Sequence, residues 1–284
     1  MTITKADRYM VEMIYHIQEY GYKDINPRPR YADGTPAHTI SVNHTFRTYN
    51  LSNGEFPICT LRPIAWKTGI KEIFTIYQKP TNNISEMHDM GVTWWDEWDI
   101  GDGTIGQRYG ATVSRYDLIN NLIKDIENDP YGRRKIVSLW QEQALHETPG
   151  LAPCAFLTIW NVRGEYLDMM LVQRSGDMLT ASGPGGINEV QYAALLIMIA
   201  AHTGYKPGVF THVVANEQIY DRHFEAADEM LVRAASPGEQ GIFYDIPCLY
   251  IKDNVNNFYD MTIDDFVMTN YNPIKPQLKL ELGI

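Results

Sequence analysis

Apolar positions in the first third of the chain change from helical to strand spacing and back. In "YMVEMIYHIQEYG" they recur every three or four residues, which predicts a helix that ends before the glycine. The next segment, "HTISVNHTFRTYN", alternates and predicts a strand with Ile40, Val42 and Phe46 on one side. A second helix is predicted over residues 64–78, where "IAWKTGIKEIFTIYQ" has one apolar face and ends before a proline.

The same two spacings continue to the end of the chain. Leu118, Leu122 and Ile126 predict a helix, "RKIVSLWQ" predicts a strand, and "CAFLTIWNVRGEYLDMMLVQRS" predicts two strands around a turn at Gly164. The longest apolar helix is predicted in "NEVQYAALLIMIAAHTG", followed by a strand in "VFTHVVANEQIY" and a helix in "DRHFEAADEMLVRAA". Apolar residues in the terminal "QLKLELGI" alternate with period two, which is the spacing of a strand.

The order of elements predicts a single α+β domain over residues 1–284, with a mixed β-sheet flanked by helices. No internal repeat, low-complexity tract or linker interrupts the pattern. A chain of 284 residues with 44% hydrophobic residues is able to build a large core.

Charge and cysteine content narrow the class of protein. The formal net charge of -11 disfavours non-specific binding to DNA or to anionic membranes, because a negative field repels phosphate polymers. Three scattered cysteines without metal-ligand spacing predict no disulfide scaffold and no metal site, and suit a reducing cytosol. No signal-peptide pattern and no apolar run of ~20 residues is present, so we expect a soluble, unprocessed, cytoplasmic protein.

Cys154 lies in "GLAPCAFLTIW", between a proline and an apolar run, and two interpretations of it are open. Cysteine is among the most frequently buried residues, which favours a small core residue. However, Arg174 in "QRS" ends the next strand of the predicted hairpin and would then lie beside Cys154, favouring its thiolate. A cysteine with a cationic neighbour is a candidate nucleophile.

Arginines are the second candidate signal. They lie in predicted loops or at strand ends, at Arg28, Arg30, Arg133, Arg134 and Arg174. Two interpretations are open: these arginines form ion pairs with carboxylates in the loops, or they converge on a phosphate dianion. A planar guanidinium group suits a phosphate better than the ammonium group of lysine does.

Asn188 stands before the long apolar helix, with Gln191 three residues later. This spacing is that of an N-cap with a capping box. Alternatively, the amide offers a donor and an acceptor to a ligand, as the edge of a pyrimidine requires.

Aromatic residues are concentrated in "GVTWWDEWDIGDGTIGQRYG", at Trp94, Trp95, Trp98 and Tyr109. Such density is typical of a core or an interface. The intervening acidic residues and glycines argue against complete burial, so a second interpretation stays open: a partly exposed aromatic wall that binds a conjugated ring system.

Taken in chain order, "DGTPAHT", "WKTGIKEIFTIYQ", "WWDEW", "DGTIGQRYG", "DPYGRRKIVSLW", "LAPCAF", "QRSGDML", "NEVQYAALL" and "IYDRH" resemble the thymidylate synthase family. The resemblance covers nearly the whole chain and is closest to the Gram-positive bacterial branch, which also carries "TLRPIA". It implies the fold of that family and methylation of dUMP to dTMP, with 5,10-methylenetetrahydrofolate as the donor of carbon and hydride.

The resemblance implies catalytic roles for five residues. Cys154 would add to C6 of the pyrimidine, and Glu72 would move protons on and off the base through water, with burial raising its pKa towards neutrality. Asn188 would read the uracil edge, and Tyr109 would border the pyrimidine and the thiolate. Arg174 would hold the phosphate beside the nucleophile.

The resemblance also implies the residues that bind the two substrates. Those for the nucleotide are Arg28, Arg133, Arg134, Arg174, Ser175, Asp177, Asn188, Gln218 and Tyr220. Those for the folate are Trp95, Trp98, Asp177 and Ile284. Ile284 would close over the occupied site and exclude water. Arg133 and Arg134 would come from the partner chain, which implies a homodimer packed sheet to sheet.

Four features depart from the family pattern. Ala155 follows the nucleophile where histidine is usual, Gly176 replaces a larger residue, and Gln218 stands at a histidine position. The loop over residues 178–187, "MLTASGPGGI", is longer than usual. Two interpretations are open: its glycines bring backbone amides close to a ligand, or they only form a turn. These departures keep two alternatives open: a hydroxymethylase acting on pyrimidine nucleotides, and a catalytically silent relative.

Overall fold

A computed structural model describes residues 4–235 and 246–284 of the chain. The helices in these residues are α1 (Lys5–Tyr20), α2 (Trp66–Ile73), α3 (Ile84–Asp89), α4 (Gly110–Arg115), α5 (Leu118–Asn128), α6 (Glu142–Glu147), α7 (Ile187–Thr203) and α8 (Phe224–Ala235). The strands are β1 (Tyr22–Lys23), β2 (Thr39–Asn50), β3 (Ile136–Ser138), β4 (Ala155–Arg163), β5 (Tyr166–Gln173), β6 (Gly176–Asp177), β7 (Lys206–Tyr220), β8 (Cys248–Ile251) and β9 (Phe266–Thr269).

The main sheet is mixed, with the strand order β1-β2-β7-β5-β4-β3. Strands β5 and β6 run parallel to β7, and the other pairs in this sheet are antiparallel. Consequently the carboxyl ends of β5, β6 and β7 meet the beginning of β4 at one end of the sheet. Strands β8 and β9 form a separate antiparallel pair. The predicted α+β class and the mixed sheet flanked by helices are confirmed.

Helix α7 forms the centre of the core. It packs against β5 and β7 on one side and against α2 on another, so its residues from Glu189 to Ala200 are all buried. This explains why the segment is apolar in every direction rather than along one stripe. In residues 4–235 and 246–284, no helix is long and apolar enough to cross a membrane.

Most of the predicted elements are confirmed, with boundaries that differ by a few residues. The hairpin of β4 and β5 turns at Gly164, which adopts φ 62°, a conformation that favours glycine. The helix predicted over residues 64–78 is α-helical to Ile73 and then continues as a π-helical turn, Phe74–Gln78.

The prediction that Phe46 shares a face with Ile40 and Val42 is wrong. His44 adopts a left-handed backbone conformation, φ 59°, and beyond it the buried residues of β2 are Thr45, Arg47 and Tyr49. Val42 is therefore buried, whereas Phe46 is 71% exposed on the opposite face of the sheet. A strand alternates faces only while its backbone stays extended.

The prediction of a strand in "QLKLELGI" is also not met, because residues 277–284 are extended without joining a sheet. The tail is held instead at its end, where the Arg30 N–H donates to the Ile284 carbonyl at 2.7 Å and the Ile284 N–H donates to the Arg30 carbonyl at 2.9 Å. In addition, Arg222 Nη1 donates to both carboxylate oxygens of Glu281, at 2.9 Å each.

A cluster of buried charges lies between the sheet and α7. The guanidinium of Arg47, on β2, donates to Glu189 at 2.6 Å, to Glu217 at 2.7 and 2.8 Å, and to the Ser182 carbonyl at 2.9 Å. His212 Nδ1 lies 3.1 Å from both Arg47 and Glu189. Burial opposes ionisation of Glu189, but Arg47 and His212 outweigh it and lower the pKa of Glu189 to about 2.

Replacing Arg47 should therefore destabilise the protein strongly. Arg47→Met leaves Glu189 and Glu217 buried without their countercharge, and we expect a loss of about 3–5 kcal/mol in the free energy of unfolding, measured by urea denaturation. Arg163→Met is the matched control, since Arg163 makes an exposed ion pair with Asp168 and its loss should change stability little. Equal effects of the two substitutions would contradict the role given to the buried cluster.

Candidate active site

Most of the sequence candidates lie at the end of the sheet where β4 begins and β5, β6 and β7 end. Cys154 immediately precedes β4, Arg174 and Ser175 follow β5, Asp177 ends β6, and Gln218 and Tyr220 lie at the end of β7. Helices complete the site. They contribute Glu72 from α2, Asn188 from α7 and Tyr109 immediately before α4.

Cys154 is half-buried and lies against Arg174. The Arg174 N–H donates to the Cys154 carbonyl at 2.9 Å, and its Nη2 lies 3.4 Å from Sγ. The guanidinium is held in place by the Pro153 carbonyl at 3.0 Å and the Ala152 carbonyl at 2.7 Å. Burial nevertheless raises the pKa of the Cys154 thiol above its ordinary value, although the charges of Arg174 and Arg28 oppose this shift. The expectation that Arg174 favours the thiolate therefore has the right sign but does not outweigh burial.

Glu72 is a buried carboxylate on the face of α2 that meets α7. Trp95 Nε1 donates to its Oε1 at 2.5 Å, and Gln191 Nε2 donates to its Oε2. Burial raises the pKa of Glu72 to about 7, and the hydrogen bonds from these side chains only partly oppose that rise. A carboxyl group with this pKa can both give and take a proton near neutral pH.

Asn188 does not cap α7, so that interpretation is wrong. The N-cap is Gly186, and Asn188 lies inside the first turn with its side chain directed to other side chains. Its Nδ2 donates to Gln191 Oε1 at 3.0 Å, and its Oδ1 accepts from Gln173 Nε2 at 3.2 Å. One N–H and one lone pair of the amide remain for a ligand.

Two glutamines at the site were missed as functional candidates. Gln191 joins Asn188 to Glu72, and Gln173 joins Asn188 to the Ser175 carbonyl at 3.0 Å. In the sequence, Gln191 had an ordinary explanation as part of a capping box and Gln173 as the last residue of a strand. Only the packing of α7 against α2 and β5 brings the two amides to the site.

The aromatic residues form one wall of the site. The ring of Trp95 lies 5.0 Å from that of Tyr109 and 5.5 Å from that of Trp98, measured between centroids. Tyr109 adopts φ 46° and ψ -110°, an unfavourable conformation for a bulky residue, and its hydroxyl accepts a hydrogen bond from the Cys154 N–H at 3.3 Å. Trp98 is half-buried, so part of the wall remains accessible.

Asp177 lies beside Gln218, because β6 and β7 are paired at these two residues. Burial raises the pKa of Asp177, and His223, whose Nδ1 is 3.8 Å from the carboxylate, opposes the rise. His223 was not a sequence candidate, although it belongs to the "IYDRH" motif. Tyr220 is also buried, and burial raises its pKa to about 12.

The arginines divide into two groups. Arg28 lies close enough to Cys154 and Tyr220 for its charge to oppose the rise that burial causes in the pKa of both groups. Arg133 and Arg134 are exposed just before β3. Since Ile136 pairs with Ile159, these two lie towards the far end of β4 from Cys154 and are not part of the site within one protomer.

The glycine-rich loop packs inside the protein. The amides of Gly183, Gly185 and Gly186 donate to the Met178 carbonyl, the Glu189 carboxylate and the Gly183 carbonyl, at 2.9, 2.7 and 2.8 Å. A Cβ on Gly176 would lie 2.2 Å from Ser182 Oγ, so the serine of the long loop occupies the space that a larger residue at 176 would need. The interpretation of this loop as a turn is therefore favoured over the interpretation as a ligand-binding loop, because its glycine amides are bonded to the protein itself.

Comparisons with known proteins identify the family of this chain. The family model described as thymidylate synthase matches residues 8–284. The thymidylate synthases of Streptococcus pneumoniae (strain 70585) and Streptococcus suis (strain 05ZYH33) are each 46% identical over 288 residues, covering 99% of this chain and 100% of each relative. The solved structure of thermostable thymidylate synthase A from Bacillus subtilis superposes with a TM-score of 0.88 at 32% identity, covering 99% and 100% of the two chains. The chain belongs to the thymidylate synthase family.

The raised pKa of Glu72 should appear in the dependence of stability on pH. Between its unfolded pKa of ~4.3 and about 7, the folded state binds the proton more tightly, so this carboxylate lowers stability as pH rises. We expect Glu72→Gln to gain roughly 3 kcal/mol relative to the parent between about pH 4.5 and about pH 8, measured by urea unfolding at matched protein concentration.

The control is Glu147→Gln. Glu147 is exposed, and its hydrogen bond from Arg115 lowers its pKa, so removing this carboxylate should bring no gain in stability as pH rises. A Glu72→Gln difference that stays constant over the same pH range would contradict a protonated Glu72 near neutrality.

Proposed function

We propose that this chain is a thymidylate synthase that converts dUMP to dTMP with 5,10-methylenetetrahydrofolate, with residues 1–284 as one catalytic domain. The proposal is carried by a half-buried cysteine beside an arginine, together with a protonatable glutamate and an asparagine amide that keeps one N–H and one lone pair for a ligand, in a member of this family. The relatives named thymidylate synthase favour this reaction over hydroxymethylation, in which water would replace hydride.

Cys154 is the nucleophile. Its thiolate adds to C6 of the uracil ring, the π electrons move to C5 and O4, and C5 becomes nucleophilic. Arg174 and Arg28 supply the positive field that offsets burial of the thiolate when the nucleotide phosphate lies against Arg174 and Ser175. The Asn188 amide donates to O4 and accepts from N3–H, which stabilises the charge that develops on O4.

Glu72 carries the proton transfers. Its pKa of about 7 lets it protonate O4 through water as negative charge develops and later accept the proton that leaves C5. Tyr109 holds the backbone of the nucleophile through the Cys154 N–H. Gln218 and Tyr220, which alternate on β7 and therefore face the same side, contact the sugar.

The folate binds against the aromatic wall. Trp95 and Trp98 offer the rings on which a conjugated pterin stacks, and Asp177 offers the pterin a polar partner. The bound folate supplies the one-carbon unit and the hydride. Ile284 closes the site and excludes water, and this tail is already paired with Arg30, two residues from Arg28.

The nucleophile is tested directly by Cys154→Ala. This variant should form no dTMP and no covalent nucleotide adduct, while it keeps the melting temperature of the parent within a few degrees, since little volume is removed. Product formation from dUMP and methylenetetrahydrofolate and the intact protein mass are the measurements. Cys248→Ala is the matched control and should keep both turnover and adduct. Residual turnover of Cys154→Ala near the parent rate, or no turnover by the parent, would contradict the proposed mechanism.

We also propose that two protomers pack by the exposed faces of their main sheets. Large apolar side chains are exposed on this face. The exposed fraction is 71% for Phe46, 53% for Ile136 and 38% for Met170. Phe46 pairs with Val213, and Met170 with Ile159, so these side chains form continuous rows across neighbouring strands. Exposed apolar areas of this kind are typical of protein interfaces. In such a dimer Arg133 and Arg134 belong to the phosphate site of the partner.

The dimer is tested by Phe46→Asp, which places a charge in the proposed interface. We expect this variant to be monomeric in sedimentation velocity and to lose turnover, whereas Tyr20→Asp, which changes an equally exposed aromatic residue of α1, should stay dimeric.

The shared phosphate site is tested by mixing two inactive variants. An inactive Arg133→Ala/Arg134→Ala variant mixed with inactive Cys154→Ala should regain activity through the intact site of the mixed dimer. A mixture that stays inactive despite subunit exchange would contradict the shared site.

A further inference from the structure

Four side chains form a continuous line of hydrogen bonds through the core, from β5 to α2. Gln173 Nε2 donates to Asn188 Oδ1 at 3.2 Å, Asn188 Nδ2 donates to Gln191 Oε1 at 3.0 Å, and Gln191 Nε2 donates to Glu72 Oε2. Gln173 and Gln191 are both buried. Every amide in this line therefore directs its nitrogen towards Glu72 and its oxygen away from it.

The two ends of the line fix this direction. In its ionised form Glu72 only accepts hydrogen bonds, and this form requires the nitrogen of Gln191. At the other end, Gln173 Nε2 also donates to the Ser175 carbonyl at 3.0 Å, and a backbone carbonyl likewise only accepts. Gln173 Oε1 in turn lies 3.0 Å from Nε2 of His212. The His212 Nε2 can donate to this oxygen, which leaves the Gln173 nitrogen facing Ser175 and Asn188.

We propose that Gln191 is a positioning residue for base selection: together with Gln173, it holds the amide of Asn188 in the orientation that binds uracil and rejects cytosine. This inference rests on the proposed function, because it takes Asn188 as the residue that reads the base. Uracil presents the O4 acceptor and the N3–H donor. Cytosine presents the N4 donor and the N3 acceptor, which is the opposite order.

Binding cytosine in the same pose requires the Asn188 amide to rotate by half a turn. The rotated amide would place its oxygen against Gln191 Oε1 and its nitrogen against Gln173 Nε2, which leaves two buried polar contacts unsatisfied. Rotating Gln191 as well would place its oxygen against the Glu72 carboxylate. Binding cytosine therefore disturbs every hydrogen bond from Asn188 to Glu72, which raises the free energy of the cytosine complex. The carboxylate that moves protons during turnover thus also fixes the orientation of the amide that selects the base.

The test compares two substitutions of Gln191 by the ratio of the dissociation constants for dCMP and dUMP, measured by isothermal titration calorimetry. Gln191→Met is similar in size but cannot accept from Asn188, and we expect the ratio to fall about tenfold, the value of one buried hydrogen bond. Gln191→Glu retains an acceptor facing Asn188, and we expect it to keep the parent ratio while turnover falls, because a second carboxylate then shares a proton with Glu72.

Gln78→Met is the matched control. Gln78 is another buried glutamine, and it donates to the Phe258 and Met261 carbonyls away from this line. It should lose stability and keep the parent ratio, which separates base selection from a general effect of removing a buried amide.

Three results would overturn the inference. They are a parent ratio retained by Gln191→Met, a ratio lowered equally in Gln191→Glu and Gln191→Met, and a parent protein that binds dCMP as tightly as dUMP. Each can occur in a protein that still makes dTMP. Conversely, a parent that binds dUMP selectively, with the expected changes in the variants, but makes no dTMP would support the inference and contradict only the proposed reaction.

Discussion

The structure depends on one buried arginine. Arg47 neutralises Glu189 and Glu217 inside a core where an unpaired charge would be very costly, so β2, β7 and α7 must meet in one arrangement. Arg47 and His212 face each other in the register of β2 and β7, and the same guanidinium holds the Ser182 carbonyl of the glycine-rich loop. The beginning of α7, and with it Asn188, is positioned by these contacts.

The polar groups of the site continue this cluster rather than standing apart from it. From His212 the hydrogen bonds pass through Gln173, Asn188 and Gln191 to Glu72, and every member is buried or half-buried. A network of this kind keeps its geometry only when each donor has an acceptor. The Asn188 amide and the Glu72 carboxyl group, to which we assign base reading and proton transfer, are therefore positioned before any substrate binds.

Two departures from the family pattern, Gly176 and the longer loop, compensate for each other within the fold. The longer loop supplies Ser182, which occupies the space left beside Gly176. The loop amides are bonded to the protein, including the Gly185 N–H to Glu189, so the extra residues extend the buried cluster and do not add a ligand contact. At the other end of the chain, Arg222 secures the tail through Glu281 beside the loop that carries Arg28 and Arg30.

The sequence by itself determined the α+β class, most helices and strands, the hairpin at Gly164 and the family, because these depend on local periodicity, turn residues and ordered motifs. Only the tertiary structure decided which face Phe46 occupies, since His44 adopts its left-handed conformation in the context of the sheet. The same holds for Asn188, whose spacing from Gln191 suits a helix cap equally well. Its partners come from β5 and from the helix that carries Glu72. Contacts between residues far apart in the chain leave no periodic signal, so the direction of each buried amide became evident only after the core was packed.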